Sequence, residues 1–306
     1  MQFTDGPLPP LDPFDHEAPD ADHAAGRDGV PGDLAIVCDP AAHRLMRRWA
    51  PALDRDGALV GGAVAIAMHG RSDVDAGQVE RRLQAMADEV RSRVTGSQVQ
   101  ATLAHLHAYL FDELGFCGDA EDYYNPANSD LGEVLERHRG LPILLSLVYR
   151  EVATRLGLAC EGVALPGHFV VSVGTESAPM LVDPFFGGTV LSRGEALERV
   201  RGLLGEHEAW DESMLRPVTN RHWLTRILQN LLGSYSAAGR YGDVAAMLEL
   251  ELLLWPDQPH LHRDLGLCLA RVGLPSQAAR SLKQYLRTEP DDPQVPDLQE
   301  LLSALA

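Results

Sequence analysis

The chain has 306 residues, enough for roughly two compact domains and a tail, and at 45% hydrophobic and 23% charged its composition is that of globular protein. Its 44 acids against 26 bases give a formal charge of -18, with Lys283 as its single lysine, which argues against direct nucleic-acid binding, since that rests on clustered Lys and Arg. No apolar run approaches the ~20 residues that span a bilayer, the acidic, proline-rich start lacks the layout of a secretory signal, and Cys38, Cys117, Cys160 and Cys268 form no CxxC pair. The expectation is a soluble, cytoplasmic protein with reduced thiols, no membrane partner and no cofactor.

Residues 1–32 combine Pro, Gly and Asp with few aliphatic side chains and are expected to form a disordered acidic tail, because they cannot bury enough surface to offset the entropy of ordering. Residues 33–94 form an expected N-terminal helical region, with apolar residues at three- and four-residue spacing over 43–49, 60–69 and 79–94. A second domain is expected over 95–215. It opens with a helix over 99–114 that presents Leu103, Leu106, Leu110 and Phe111 on one side and stops at Gly115. A polar loop is expected over 118–129, then a short helix with Asp130 and Glu133 as a capping box. The strongest helix runs over 141–156. It carries Pro142 in its first turn, where a missing N–H costs nothing, and Gly157 closes it.

Strand-like runs follow at 158–165, 168–173 and 180–182, separated by Pro166-Gly167 and a second short loop, which favours antiparallel pairing. From 216 to 306 the pattern is helical and repeats at an offset of 34 residues. Gly239 matches Gly273, Ala245 matches Ala279, and Trp255-Pro256-Asp257 matches Glu289-Pro290-Asp291. That period is the tetratricopeptide signature, in which helix pairs stack on their neighbours, and it predicts a protein or peptide partner bound through the repeats.

Thiol acyl transferases place a cysteine at a helix start, where the positive helix end favours thiolate, and bring an imidazole and its orienting carboxylate from adjacent strands. Here Gly140-Leu141-Pro142 opens a helix that Leu156-Gly157 closes, Gly167-His168-Phe169 opens a strand, and Leu181-Val182-Asp183-Pro184 ends the next. This order resembles the transglutaminase-like core, and the 17-residue interval from Gly140 to Gly157 fits it. On that register Pro142 stands where the nucleophilic cysteine is expected, so His168 and Asp183 read as a vestigial base and orienter, or equally as a structural hydrogen-bonded pair at strand ends.

The stretches from Phe111 to Phe116, Asp122 to Ser129, Val134 to Pro142, Pro166 to Phe169 and Asp183 to Gly188 bring the match closer to one bacterial family. With Arg226 to Leu231 and Arg263 to Gly266, they resemble the proteins named regulators of sirC expression, which join a transglutaminase-like domain to tetratricopeptide repeats. The resemblance spans roughly 55–306. It implies an α+β fold, a papain/transglutaminase-like core with a helix packed on a small antiparallel sheet, flanked by the N-terminal helices and the C-terminal repeats. It also implies cytoplasmic residence and a regulatory role, with no established reaction.

Tyr123, Tyr124, Asn125, Asn128 and Ser129 offer hydrogen-bonding groups beside the expected cleft, and Tyr123, Asn125, Asn128, Arg139, His168 and Asp183 are the ligand-binding candidates; turn and cap chemistry explains the asparagines equally well. Arg137, His138 and Arg139 can form an anion site, although basic residues at a helix end are first explained by its dipole. His105 and His107, two apart on a helix, share no face, and no metal is assigned. The leading reading is a non-catalytic binding or scaffold protein, a pseudoenzyme. The alternative is a hydrolase or acyl transferase acting on a peptide or amide through Cys117, Cys160 or a water activated by His168. A DNA regulator rests on the family name alone.

Overall fold

The computed structural model describes residues 36–305 apart from 56, 97, 176–177, 197 and 199–211, so the expected tail at 1–32 lies outside the described residues. The N-terminal helices form where the apolar spacing predicts them, as α1 (Pro40–Trp49), α2 (Ala58–Gly70) and α3 (Ala76–Arg93). Asp39 starts α1 by accepting from the N–H groups of Ala41 at 2.8 Å and Ala42 at 3.0 Å, ahead of Pro40 at the first helical position. Helix α2 is buried on nearly every face, and its Gly61 and Gly62 admit Trp49 and Leu224, with which a Cβ would collide.

The helix expected over 99–114 begins as α4 (Val99–His107) but passes into a π turn over Ala108–Glu113. Tertiary packing imposes that wider turn. Phe111 fills the space where a Cβ of Gly188 would sit and stacks on Tyr149 at 6.1 Å, while His107 Nε2 meets the Tyr149 hydroxyl at 2.8 Å. Sequence periodicity carries no record of those partners.

The segment read as a polar loop lies mostly at the surface but buries three of its polar side chains. Strand β1 (Cys117–Gly118) pairs in parallel with β2 (Arg139–Gly140), and Asp119, Asn128 and Ser129 are buried. Arg137 explains this by donating to Asp119 Oδ2 and Asn128 Oδ1, both at 3.0 Å, while Asn128 Nδ2 donates to the Asp122 carbonyl at 2.7 Å. Asp130 caps α5 (Leu131–Arg137) through the Glu133 N–H at 3.0 Å. The returning half of the capping box is replaced, because the Glu133 carboxylate instead takes Arg71 Nη1 at 3.0 Å. His138, at φ 56°, ends α5 in the left-handed region.

Helix α6 (Pro142–Arg155) starts at Pro142 and is buried along most of its length. It packs on an antiparallel sheet of β3 (Ala159–Leu165), β4 (His168–Thr175) and β5 (Ala178–Asp183). A fourth strand, β6 (Thr189–Leu191), extends the sheet; at three residues it is too short to show alternation in the sequence. This is an α+β core of one helix on a small sheet, as expected.

The C-terminal region holds α7 (Asn220–Ala237), α8 (Tyr241–Leu254), α9 (Pro259–Arg271), α10 (Pro275–Thr288) and α11 (Val295–Ala304). Both ends of α8 recur 34 residues later in α10, and Gly239 (φ 67°) and Gly273 (φ 77°) provide the left-handed turn inside each pair. A continuous apolar cluster runs from Cys38 to Ala278 and joins α2, α6, α7 and α8. Glu249 of α8 fastens the start of the described chain, accepting from the backbone N–H groups of Ile36 at 3.0 Å, Val37 at 3.0 Å and Cys38 at 3.2 Å.

Candidate functional site

Helix α6 meets the sheet at the start of β4. Ser146, one turn into the helix and fully buried, donates to the Phe169 carbonyl at 3.5 Å, and the Leu141 N–H preceding Pro142 donates to the Asn128 carbonyl at 3.0 Å. The helix start, the beginning of β4 and the 118–129 segment thus converge. His168 is the first residue of β4, and Asp183 is the last of β5.

His168 Nε2 and Asp183 Oδ2 are 2.8 Å apart, with the imidazole 11% exposed and the carboxylate 0%. A carboxylate at this distance makes Nε2 the donor. Asp183 Oδ1 also accepts from the Phe185 and Phe186 N–H groups at 3.1 and 3.4 Å, which forms the short 3-10 turn Pro184–Phe186. The same carboxylate therefore orients the imidazole and places two aromatic rings around it. Phe185 lies edge-on to His168 at 6.0 Å and Phe186 is tilted against it at 5.9 Å.

Phe185 also fills the space that a Cβ of Gly118 would need, so strand alternation directs the neighbouring Cys117 thiol to the other side. Cys160 pairs with Val173, while His168 pairs with Leu165, five residues further along β3, which puts Cys160 about 16 Å along the strand from His168. Burial pushes the Cys160 thiol well above its ordinary value. Among the described residues neither thiol makes a hydrogen bond to His168, whose side-chain hydrogen bond is to Asp183.

The loop candidates divide. Tyr123 is half-buried, meets Phe185 edge-on at 6.1 Å, and has its hydroxyl pKa raised by burial. Tyr124 beside it is 77% exposed. Asn125 Oδ1 accepts from the Ala127 N–H at 3.0 Å and its Nδ2 donates to Asp122 at 2.8 Å, so it serves as a cap for the turn Pro126–Ser129. The buried Asn128 uses its amide inside the protein, and Arg137 is committed to Asp119 and Asn128. Arg139 is exposed on β2, its backbone paired with Cys117. His107 is taken by Tyr149, and among the described residues no three His, Cys, Asp or Glu side chains converge on a point that would hold a metal.

Two residues of α7 complete the site. Trp223 packs on Phe169 at 4.7 Å, donates from Nε1 to the Ile143 carbonyl at 3.2 Å, and occupies the space above Gly162. One turn later Arg226 interacts electrostatically with Tyr123, and burial lowers its pKa. The signal for both lies in the sequence, as a tryptophan and an arginine three apart on a helix face otherwise made of Leu224, Ile227, Leu228 and Leu231, but the 34-residue period assigns that face to repeat packing.

Comparison with known proteins places this geometry in context. A family model described as Transglutaminase-like superfamily matches residues 77–229, and a tetratricopeptide-repeat model matches 231–303. The chain is 36% identical over 236 residues to a UPF0162 protein of Xylella fastidiosa (strain Temecula1), covering 76% of this chain and 84% of that protein. It is 26% identical over 207 residues to a UPF0162 protein of Vibrio cholerae, covering 66% and 76%. It is 31% identical over 163 residues to F-box only protein 21 of Homo sapiens, covering 50% of this chain and 25% of that protein. No solved structure matches. No helix among the described residues is long and apolar enough to cross a membrane.

Proposed function

The chain belongs to the transglutaminase-like superfamily, and from that premise we propose that it is a non-catalytic binding and scaffold protein of the cytoplasm, with a regulatory role like that of the regulators of sirC expression it resembles. Its cleft takes a ligand and its repeats engage a partner protein, as tetratricopeptide repeats generally do. The working units are 33–94, 95–215 and 216–306, packed together through the shared apolar cluster. His168, Asp183, Tyr123, Asn125, Asn128 and Arg139 belong to the cleft, the asparagines through the shape of its wall.

The observation that carries this reading is Pro142. It opens α6 at the family's nucleophile position, and its ring lacks both a nucleophile and the N–H that the first helical position leaves free. His168 and Asp183 hold a base geometry that has no thiol to deprotonate.

Incubation of the full chain with a glutaminyl peptide and an amine donor tests it. The wild type is expected to release no ammonia. Pro142→Cys is expected to create a thiol that iodoacetamide alkylates faster than it alkylates any wild-type cysteine, because the helix start and His168 favour thiolate. Wild-type turnover that disappears in Cys117→Ser or Cys160→Ser would overturn the reading.

A further inference from the structure

Ahead of the described residues, Pro7-Leu8-Pro9, Pro10-Leu11-Asp12 and Pro13-Phe14-Asp15 follow one another as three triplets of one pattern. A polyproline II helix has three residues per turn, so residues three apart share an edge. In that conformation Pro7, Pro10 and Pro13 form one edge and Leu8, Leu11 and Phe14 a second, while both acids fall with Pro9 on the third. The segment therefore carries two apolar edges and one acidic edge. Each proline fixes its own φ at about −65°, so less entropy is lost when such a segment docks.

The rim of the cleft offers a matching surface. Tyr124 is 77% and Phe186 55% exposed, which is unusual for large aromatic side chains, and two further rings join them. Tyr124 meets Tyr123 at 5.5 Å, Tyr123 meets Phe185 at 6.1 Å, and Phe185 meets Phe186 at 5.2 Å, each edge-on. The planes of the two tyrosines cross at 78° and those of the two phenylalanines at 75°, so each pair forms a corner. Proline-rich segments in the polyproline II conformation dock on aromatic-lined surfaces of this kind.

One chain carries both parts. Glu249 holds the N–H groups of Ile36, Val37 and Cys38, so the segment is tethered to a fixed point on α8. The 20 residues from 16 to 35 reach up to ~70 Å when extended, more than the ~50 Å across a folded chain of this size. A tether of that length gives an effective concentration on the order of millimolar, at which even a weak contact is populated.

We propose that residues 7–15 of this chain dock as a polyproline II helix on the surface made by Tyr123, Tyr124, Phe185 and Phe186, and so occupy the rim of the cleft. The proline edge and the Leu8, Leu11 and Phe14 edge face the rings, and the edge with Asp12 and Asp15 faces water, away from a protein of net charge -18. Phe186 is tilted against His168 at 5.9 Å, which puts the docked segment beside the imidazole. A ligand of the cleft then has to displace it, so the segment is a built-in competitor. The proposal rests on the cleft being a ligand site and names the part of the chain that competes for it.

The test is fluorescence anisotropy of a labelled peptide of residues 6–16, titrated with the full chain and with a full-chain variant that combines Pro7→Ala, Pro10→Ala and Pro13→Ala. Nitration of Tyr124 by tetranitromethane is followed in both by mass spectrometry. The peptide is expected to bind the variant about tenfold tighter than wild type, as release from a tethered competitor predicts, and Tyr124 is expected to nitrate faster in the variant. Adding Tyr124→Ala to the variant is expected to weaken binding by about tenfold, and a peptide of the same composition with the proline spacing scrambled is expected not to bind. Equal affinity for both forms, lost with Tyr124→Ala, would overturn the tethered occupant and leave the cleft as a site for a separate proline-rich peptide. Binding that survives Tyr124→Ala, or that the scrambled peptide reproduces, would overturn the surface or the three-residue register. No binding to either form, or equal nitration of Tyr124 in both, would overturn the proposal as a whole. Turnover of the glutaminyl peptide would instead overturn the non-catalytic reading, so the two failures are told apart.

Discussion

Two buried carboxyl groups, one in the α+β core and one in the repeats, are handled in opposite ways. Asp183 is fully buried and is met by the His168 imidazole and by the Phe185 and Phe186 N–H groups. Glu251 on α8 is also buried, but its pKa is pushed up to about 8 by burial and then by the charge of Asp264. The core supplies donors and fixes a shape around its acid, and the repeats let theirs keep a proton. The burial of Asp183 is thus matched by donors of fixed geometry, whereas that of Glu251 favours its protonated form.

The comparison is broken most directly at Trp223, the side chain that joins the two regions. Trp223→Ala is expected to cost about 4 kcal/mol and to lower a single melting transition read by circular dichroism. Two separated transitions would place the coupling elsewhere. Asp183→Ala, which leaves the imidazole and the Phe185 and Phe186 N–H groups without their acceptor, is expected to cost about 3 kcal/mol by urea denaturation, and Asp183→Asn to recover part of it. A loss below about 1 kcal/mol would remove the distinction between the two acids.

The smallest expected effect concerns Glu251. Its carboxyl titrates at the ordinary 4.5 when unfolded and at about 8 when folded, so between those values the native state holds a proton that the unfolded state has released. This contribution is complete below about pH 4.5 and is lost as the pH rises to about 8. Glu251→Gln is expected to flatten that slope in denaturation curves recorded across the window, and an unchanged slope would assign it to another group.

Much of this was legible in the amino-acid order because the signals are local. Pro142 starts α6, Gly157 follows its end, and His168 and Asp183 stand at strand ends that short turns bring together. The 34-residue offset of α8 and α10 is equally local. Features set by distant partners were not legible. The π turn answers to Tyr149 and Gly188, the burial of Asn128 to Arg137, and the lost half of the capping box to Arg71. Trp223 was hidden for the same reason, because its place against Phe169 follows from how α7 docks on α6, and no periodicity in either helix records that docking.

The Glu249 clamp has a consequence in time. The carboxylate that gathers the N–H groups of Ile36, Val37 and Cys38 lies 213 residues further along the chain from the first of them. At ordinary rates of protein synthesis, 5–20 residues per second, the acceptor follows its donors by on the order of 10–40 s. Leu224, which packs over Gly62 in α2, is delayed almost as long. The first helices made are therefore among the last to be completed, and apolar α2 is the stretch that a holding factor would have to shield while the nascent chain waits for its own far end.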